Sequence, residues 1–280
     1  MCDALSASGL AGALNAPLLL TTSGTLSNPT RHALNEMRSA YAMGLAIYVL
    51  GGTGSVTPAT FNAIAATNPG GTTTRIDGSD RYVLSSNVAK KVDFHSYVDP
   101  PAVLVFNAES QGAFYDALSA SAISAQQSMP MLAVRKSTVP TSVKNTLAGT
   151  FAGKPRYVVS GTGWVSSAVY SAVGASARLA ASSDRNQAAG QIANYARRQG
   201  WLLYENMGIA NKLPDSLTGG AYMGMNDGIL LYTDATSFPS STNSFVVSNR
   251  YGSERGFIFG GTASVSGTTG IAFGTALNTP

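Results

Sequence analysis

Three aspartates open three near-identical phrases. Asp3-Ala4-Leu5-Ser6-Ala7-Ser8, Asp116-Ala117-Leu118-Ser119-Ala120-Ser121 and Asp215-Ser216-Leu217-Thr218-Gly219-Gly220 stand 113 and 99 residues apart. A carboxylate at such a position either caps the helix that follows, adding roughly 1 kcal/mol, or contacts a ligand from the strand-to-helix turn. Arg81 and Arg185 each follow an aspartate at a helix start, with Arg75 and Arg178 six or seven residues upstream. A guanidinium there pairs an acid and ties helix to sheet, or grips a phosphate bidentately. Gly51-Gly52-Thr53-Gly54 follows an apolar run and leads into a helical segment, so its amides offer an anion site. It falls short of a dinucleotide fingerprint because Thr57 stands where the third glycine belongs, and a tight turn is the competing reading. His32 and His95 are unpaired and unrepeated, and read as lone surface side chains with no second histidine at metal spacing. Trp164, Tyr204, Tyr222 and Tyr232 offer sugar-stacking faces or pack in cores and joins. The copies share no acid–base pair and no nucleophile, so no enzyme, metal or cofactor is expected.

These residues need elements to hold them. In the middle copy, apolar runs at 102–106, 130–134 and 156–161 read as parallel strands. Helices are expected after Asp116, as its N-cap, and over 141–151, 166–174 and 186–200. The alternation is that of a doubly wound α/β layer. The first copy repeats it with strands at 17–21 and 46–52, the third with strands at 229–233 and 256–261. A repeat this long means tandem domains, assigned to 1–98, 99–200 and 201–280. The first copy is truncated, because no strand precedes Asp3. In a doubly wound sheet that strand lies in the interior, and its loss leaves a groove of unpaired backbone groups. A strand supplied from elsewhere or a trimmed N-terminus is expected, with a domain rebuilt around the gap as the third reading.

The 280 residues are 44% apolar and only 11% charged, so Ser, Thr, Asn, Gly and Gln must build the surface. A net charge of +4 permits a polyanionic partner. No run of Lys or Arg marks a nucleic-acid patch, and no window reaches the roughly 20 apolar residues of a membrane span. Cys2 is the single cysteine, so no intrachain disulfide forms. No signal peptide is visible, and a soluble protein is expected, exported only with a leader removed or lying outside this sequence.

The phrases Asp-Ala-Leu-Ser-Ala, Pro-Leu-Leu-Leu-Thr, Tyr-Val-Leu-Gly-Gly-Thr-Gly-Ser-Val and Arg-Ile-Asp-Gly-Ser-Asp-Arg-Tyr resemble the type 2 cell-wall-binding repeat family of Gram-positive surface proteins and autolysins. The resemblance spans nearly the whole chain. It implies three Rossmann-like layers around a pseudo-threefold axis and non-catalytic, non-covalent anchoring to an anionic wall polysaccharide outside the cell. It ties binding to the apolar strand after the first helix: Pro17-Leu18-Leu19-Leu20, Pro130-Met131-Leu132-Ala133 and Gly228-Ile229-Leu230-Leu231, with Gly228 where the others have Pro. Arg81 and Arg185 join these as polymer-contact candidates. Asp3, Asp116, Asp215, Gly51, Gly52, Gly260 and Gly261 are the structural motif, with Ser160-Gly161 replacing the glycine pair in the middle copy. The rival reading is a virion or surface-layer structural protein that uses the same fold to contact copies of itself or neighbouring chains.

Overall fold

Short apolar runs separated by helix-length connections can pair only in parallel, and every strand pair in the computed structural model is parallel. The structure describes residues 2–41 and 43–278. The first repeat runs from a 3-10 turn (Cys2–Ser6) through α1 (Ser8–Leu14), α2 (Asn28–Ala40), β1 (Ala46–Leu50), α3 (Pro58–Ala66) and β2 (Thr72–Ile76) to α4 (Arg81–His95). The second comprises β3 (Val103–Asn107), α5 (Gln111–Gln126), β4 (Met131–Val134), α6 (Thr141–Ala148), β5 (Arg156–Val158), α7 (Ser167–Ala172), β6 (Ala177–Arg178) and α8 (Arg185–Arg198). The third comprises β7 (Asn206–Ala210), α9 (Leu213–Gly224), β8 (Gly228–Tyr232), α10 (Ser240–Asn249), a 3-10 turn (Arg250–Gly252), β9 (Arg255–Phe259) and α11 (Gly267–Asn278).

The sheets are ordered β4-β3-β5-β6, β8-β7-β9 and β1-β2. In the second and third repeats the first strand lies between its successors, as a doubly wound layer requires. Leu104 on β3 faces Met131 on one side and Tyr157 on the other. Among the described residues, the first repeat's sheet contains β1 and β2 alone. Its Pro17–Thr21 run, expected as a strand, forms no ladder, because none of the described residues of this repeat takes the place that β3 and β7 hold beside β4 and β8. One continuous core runs through the second and third repeats and takes in Leu5, Tyr82 and Ala89 of the first, which also holds two small clusters, one around Leu10, Leu84 and Val88 and one around Leu34, Val49 and Ile64.

Hydrogen bonds fix the correspondence between copies. Thr30 Oγ1 donates to Leu20 O as Thr242 Oγ1 donates to Tyr232 O. Ser23 O, Lys136 O and Ala235 O accept from Thr57, Ser166 and Ser266 amides at 3.0, 2.9 and 2.7 Å. Pro17 and Pro130 therefore align with Ile229. Gly228, which the sequence pattern set in that place, lies one residue earlier.

The repeated phrase earns its small residues at helix contacts. α1, α5 and α9, which follow or contain the three aspartates, touch one another pairwise. A Cβ on Gly12 would sit 1.8 Å from Ala125 O, one on Gly220 1.7 Å from Ser121 Oγ, and one on Gly224 2.2 Å from Ala122 O. Such approach demands glycine, since real Cβ atoms need far more room. Leu5, Leu118 and Leu217 of the same phrases are buried. The helix that ends each of the first two repeats crosses to the next. α4 packs on β4 and α6, and α8 packs on β8 and α10. At the outer edge of β4, Ser85 Oγ accepts from Ala133 N at 3.1 Å, satisfying an amide that no strand pairs.

Candidate functional site

The aspartates are not helix caps. Asp3 lies in the 3-10 turn, Asp215 inside the first turn of α9 after Lys212, and Asp116 midway along α5. Caps come from other aspartates: Asp80 Oδ1 accepts from Tyr82 N and Val83 N at 2.8 Å, and Asp184 Oδ1 from Asn186 N and Gln187 N at 2.9 and 2.8 Å. Thr57 caps α3 by accepting from Thr60 N, which explains a threonine where a dinucleotide motif wants glycine.

The repeated aspartates instead lock the glycine turns. Ser55 Oγ donates to Asp3 Oδ2 at 2.5 Å, and Ser264 Oγ to Asp215 Oδ2 at 2.6 Å. Gly51 and Gly260 both adopt φ 111°, in the region that favours glycine. A Cβ would stand 3.0 Å from Asp3 Oδ2 and 2.5 Å from Asp215 Oδ2. Two of the turn's amides are taken internally, since Ser55 N and Val56 N both bond Gly52 O at 3.0 Å, which weakens the reading of Gly51-Gly52-Thr53-Gly54 as an anion site. In the second repeat Ser160 and Trp164 replace the glycine and the serine. Asp116 there is 2% exposed and its Oδ2 has no partner. Burial raises its carboxyl from 3.8 to about 7.

The arginines are staples between repeats. Arg81 Nη1 donates to Ala108 O at 2.5 Å. Arg185 reaches Asn211 O and Oδ1, Thr233 O and Asp234 Oδ1 at 2.9–3.1 Å, and its guanidinium lies over Tyr115 and Tyr232. Each thus grips strand ends of the following repeat. Arg75 Nη1 donates to Gly51 O at 2.6 Å and Arg178 Nη1 to Ser160 O at 2.8 Å, so both brace the turns.

The apolar strand motifs divide by repeat. Met131, Leu132, Ile229, Leu230 and Leu231 are buried, as is Pro130. In this conformation they form core. Pro17 and Leu19 are exposed, with Leu18 and Leu20 half-buried, because no neighbouring strand covers them. Tyr204 and Tyr232 are fully buried, so neither is a stacking face, and burial pushes both phenols up. Neither histidine is alone: His32 faces Glu36 at 3.3 Å, and His95 Nε2 bonds Tyr48 OH at 2.8 Å.

The open cationic concavity lies elsewhere. Arg75, Ile76, Asp77, Asn87, Lys90, Lys91 and Phe94 line a depression of about 380 Å³ between β2 and the outer face of α4. Aligning the caps Asp80 and Asp184 places Asn194, Tyr195 and Arg198 at the positions of Lys90, Lys91 and Phe94. In that second copy Arg198 stacks on Tyr195, which packs beside Trp201. Cations beside aromatic faces suit a negatively charged sugar chain. Sequence reading passed over Lys90 and Lys91, since two lysines make no charge run. Their helical spacing from Asn87 and Phe94 is the signal that could have found them.

Comparison with known proteins agrees with this frame. Residues 1–61, 75–170 and 178–269 match the family described as Cell wall binding domain 2 (CWB2). The chain is 27% identical over 273 residues to N-acetylmuramoyl-L-alanine amidase LytC of Bacillus subtilis (strain 168), covering 94% of this chain and 49% of that protein. It is 30% identical over 138 residues to the Amidase enhancer of the same organism, covering 49% of this chain and 17% of the relative. The chain thus spans about half the length of LytC and less of the second. Among solved structures, Cwp6 and Cwp8 from Clostridium difficile each superpose with a TM-score of 0.82, at 22% and 20% identity, over 99% of this chain and 42% and 45% of theirs. At that identity the likeness establishes the fold. With three matched segments covering most of its length, the chain belongs to the cell wall binding domain 2 family.

Proposed function

We propose that the chain attaches non-covalently to an anionic glycopolymer of a Gram-positive cell wall, outside the cell, and catalyses nothing itself. The observation that carries this reading is the threefold match to a wall-binding family within one chain. The basic excess supports it, since +4 favours encounter with a polyanion and makes binding sensitive to salt. The Arg75–Lys90–Lys91 depression and its counterpart around Arg178, Tyr195 and Arg198 are the contact surfaces. The buried strands act behind them, as the scaffold that sets their spacing. Weak contacts at two or more repeats add through effective concentration, and avidity exceeds a single contact by about 10²–10⁴ where the geometry allows both.

Charge reversal tests the assignment. The double variant Lys90→Glu, Lys91→Glu alters exposed or half-exposed side chains on one helix face. Its retention on purified Gram-positive walls at low salt is expected to fall by about tenfold or more, with an unchanged melting temperature. Full retention by the double variant would remove this surface from the account.

A further inference from the structure

We propose that the outer faces of α4 and α8 each carry one subsite for a charged sugar unit, built as a cation–aromatic pair: a pyranose ring lies on the aromatic side chain and its anionic substituent meets the cation. This rests on the wall-attachment reading and names what each helix grips.

The pair recurs with its members exchanged. With Asp80 aligned on Asp184, Lys91 corresponds to Tyr195 and Phe94 to Arg198. In α4 the cation comes first, and Lys91 Nζ lies 5.3 Å from the centre of the Phe94 ring. In α8 the aromatic comes first, and the Arg198 guanidinium carbon lies 5.7 Å from the centre of the Tyr195 ring. Both pairs stand near the ends of their helices at a spacing of three, where side chains meet. The helix macrodipole favours a cation there in any protein, so the cation alone carries no argument. The aromatic partner does, because the combination persists where neither residue is kept in place.

The rings are held, and the first is open. Phe94 is 75% exposed, so Lys91 leaves most of its face to solvent. His95 packs edge-on against it at 4.9 Å, and His95 Nε2 bonds Tyr48 OH at 2.8 Å. Tyr195, half-buried, is braced by Tyr157 at 5.8 Å and Trp201 at 5.9 Å. Tyr48 and Tyr157 are counterparts: each sits opposite the residue before the arginine that braces its repeat's turn, Thr74 before Arg75 and Ala177 before Arg178. A strand tyrosine therefore backs the helix aromatic in both copies, and a ring already fixed loses little freedom when a sugar stacks on it.

The subsites differ in charge. Arg75, Lys90 and Lys91 line the depression beside Phe94, whereas Asn194 stands at the position of Lys90 in the second copy. The first subsite is the more salt-sensitive of the two.

The discriminating variant is Phe94→Arg, which adds a positive charge and removes the ring. Attraction by charge alone predicts tighter retention on purified Gram-positive walls at low salt. The subsite predicts retention about fivefold weaker, with most of the loss recovered when Lys91→Tyr is added and the order of α8 is written into α4. Phe94→Ala is expected to lose about fivefold on walls while holding inorganic polyphosphate, a polyanion without rings, as the parent does. Lys91→Ala should weaken both. Phe94 buries little in the folded chain, so these changes leave the core intact, and an unchanged melting temperature checks it. Tighter wall binding by Phe94→Arg, full wall retention by Phe94→Ala, or an equal loss by Phe94→Ala on polyphosphate would overturn the subsites and leave wall attachment standing. No wall retention by the parent protein would overturn both.

Discussion

Asp116 should make this protein less stable as the solution becomes less acidic. Its carboxyl is buried within α5, its Oδ2 has no hydrogen-bond partner, and burial lifts it from 3.8 to about 7. A group whose folded pKa exceeds its unfolded value favours folding fully below the unfolded pKa, and that contribution is lost as pH rises through the folded one. The window is therefore about pH 4 to 7, and the displacement is worth about 4 kcal/mol. Over 280 residues that corresponds to about 7 °C in Tm. Asp116→Asn keeps the shape and removes the charge. Calorimetry at pH 4.5, 6 and 8 is expected to show the variant close to the parent at pH 4.5 and up to about 7 °C more stable at pH 8. The difference between the two proteins isolates Asp116 from other titrating groups, such as Glu109, which the Lys136 amide holds low. A difference that does not change with pH would refute the reasoning.

Three further substitutions probe the frame. Gly260→Ala places a Cβ 2.5 Å from Asp215 Oδ2 at φ 111° and should cost about 1–3 kcal/mol in urea unfolding, with Ser264→Ala costing less. Arg185→Ala removes the clasp on Asn211 and Thr233 and should cost about 2 kcal/mol or more, with faster exchange concentrated in β8; Arg185→Lys should recover only part, since it cannot fork. Gly220→Ala forces a Cβ to within 1.7 Å of Ser121 Oγ and should destabilise by about 1–3 kcal/mol through overpacking of α5 against α9, whereas Gly163→Ala, with open space around it, should be nearly silent.

The architecture was legible because it is written in periodic apolar runs. Val103–Phe106 and Ile229–Tyr232 are too short and too apolar for anything but buried parallel strands. Pro17–Thr21 shows the limit: the same composition forms no strand without its neighbour, because pairing is a property of two segments. The aspartates were misread for a similar reason. Asp116 lies five residues inside its helix because α5 begins at Gln111, and local sequence does not reveal that its phrase packs against other helices. The roles of Arg81 and Arg185 were hidden as well, since their acceptors lie about 26 to 49 residues onward and belong to the next repeat. The open cationic surface left the weakest trace, because Arg75 meets Lys90 and Lys91 only after β2 and α4 have packed.

Wall attachment itself is tested most directly by co-sedimentation with Gram-positive walls before and after acid extraction of their anionic polymers, at rising ionic strength. The account predicts retention on intact walls at low salt, progressive release as salt rises, and little binding to stripped walls. Equal binding to intact and stripped walls, or none to either at low salt, would contradict it.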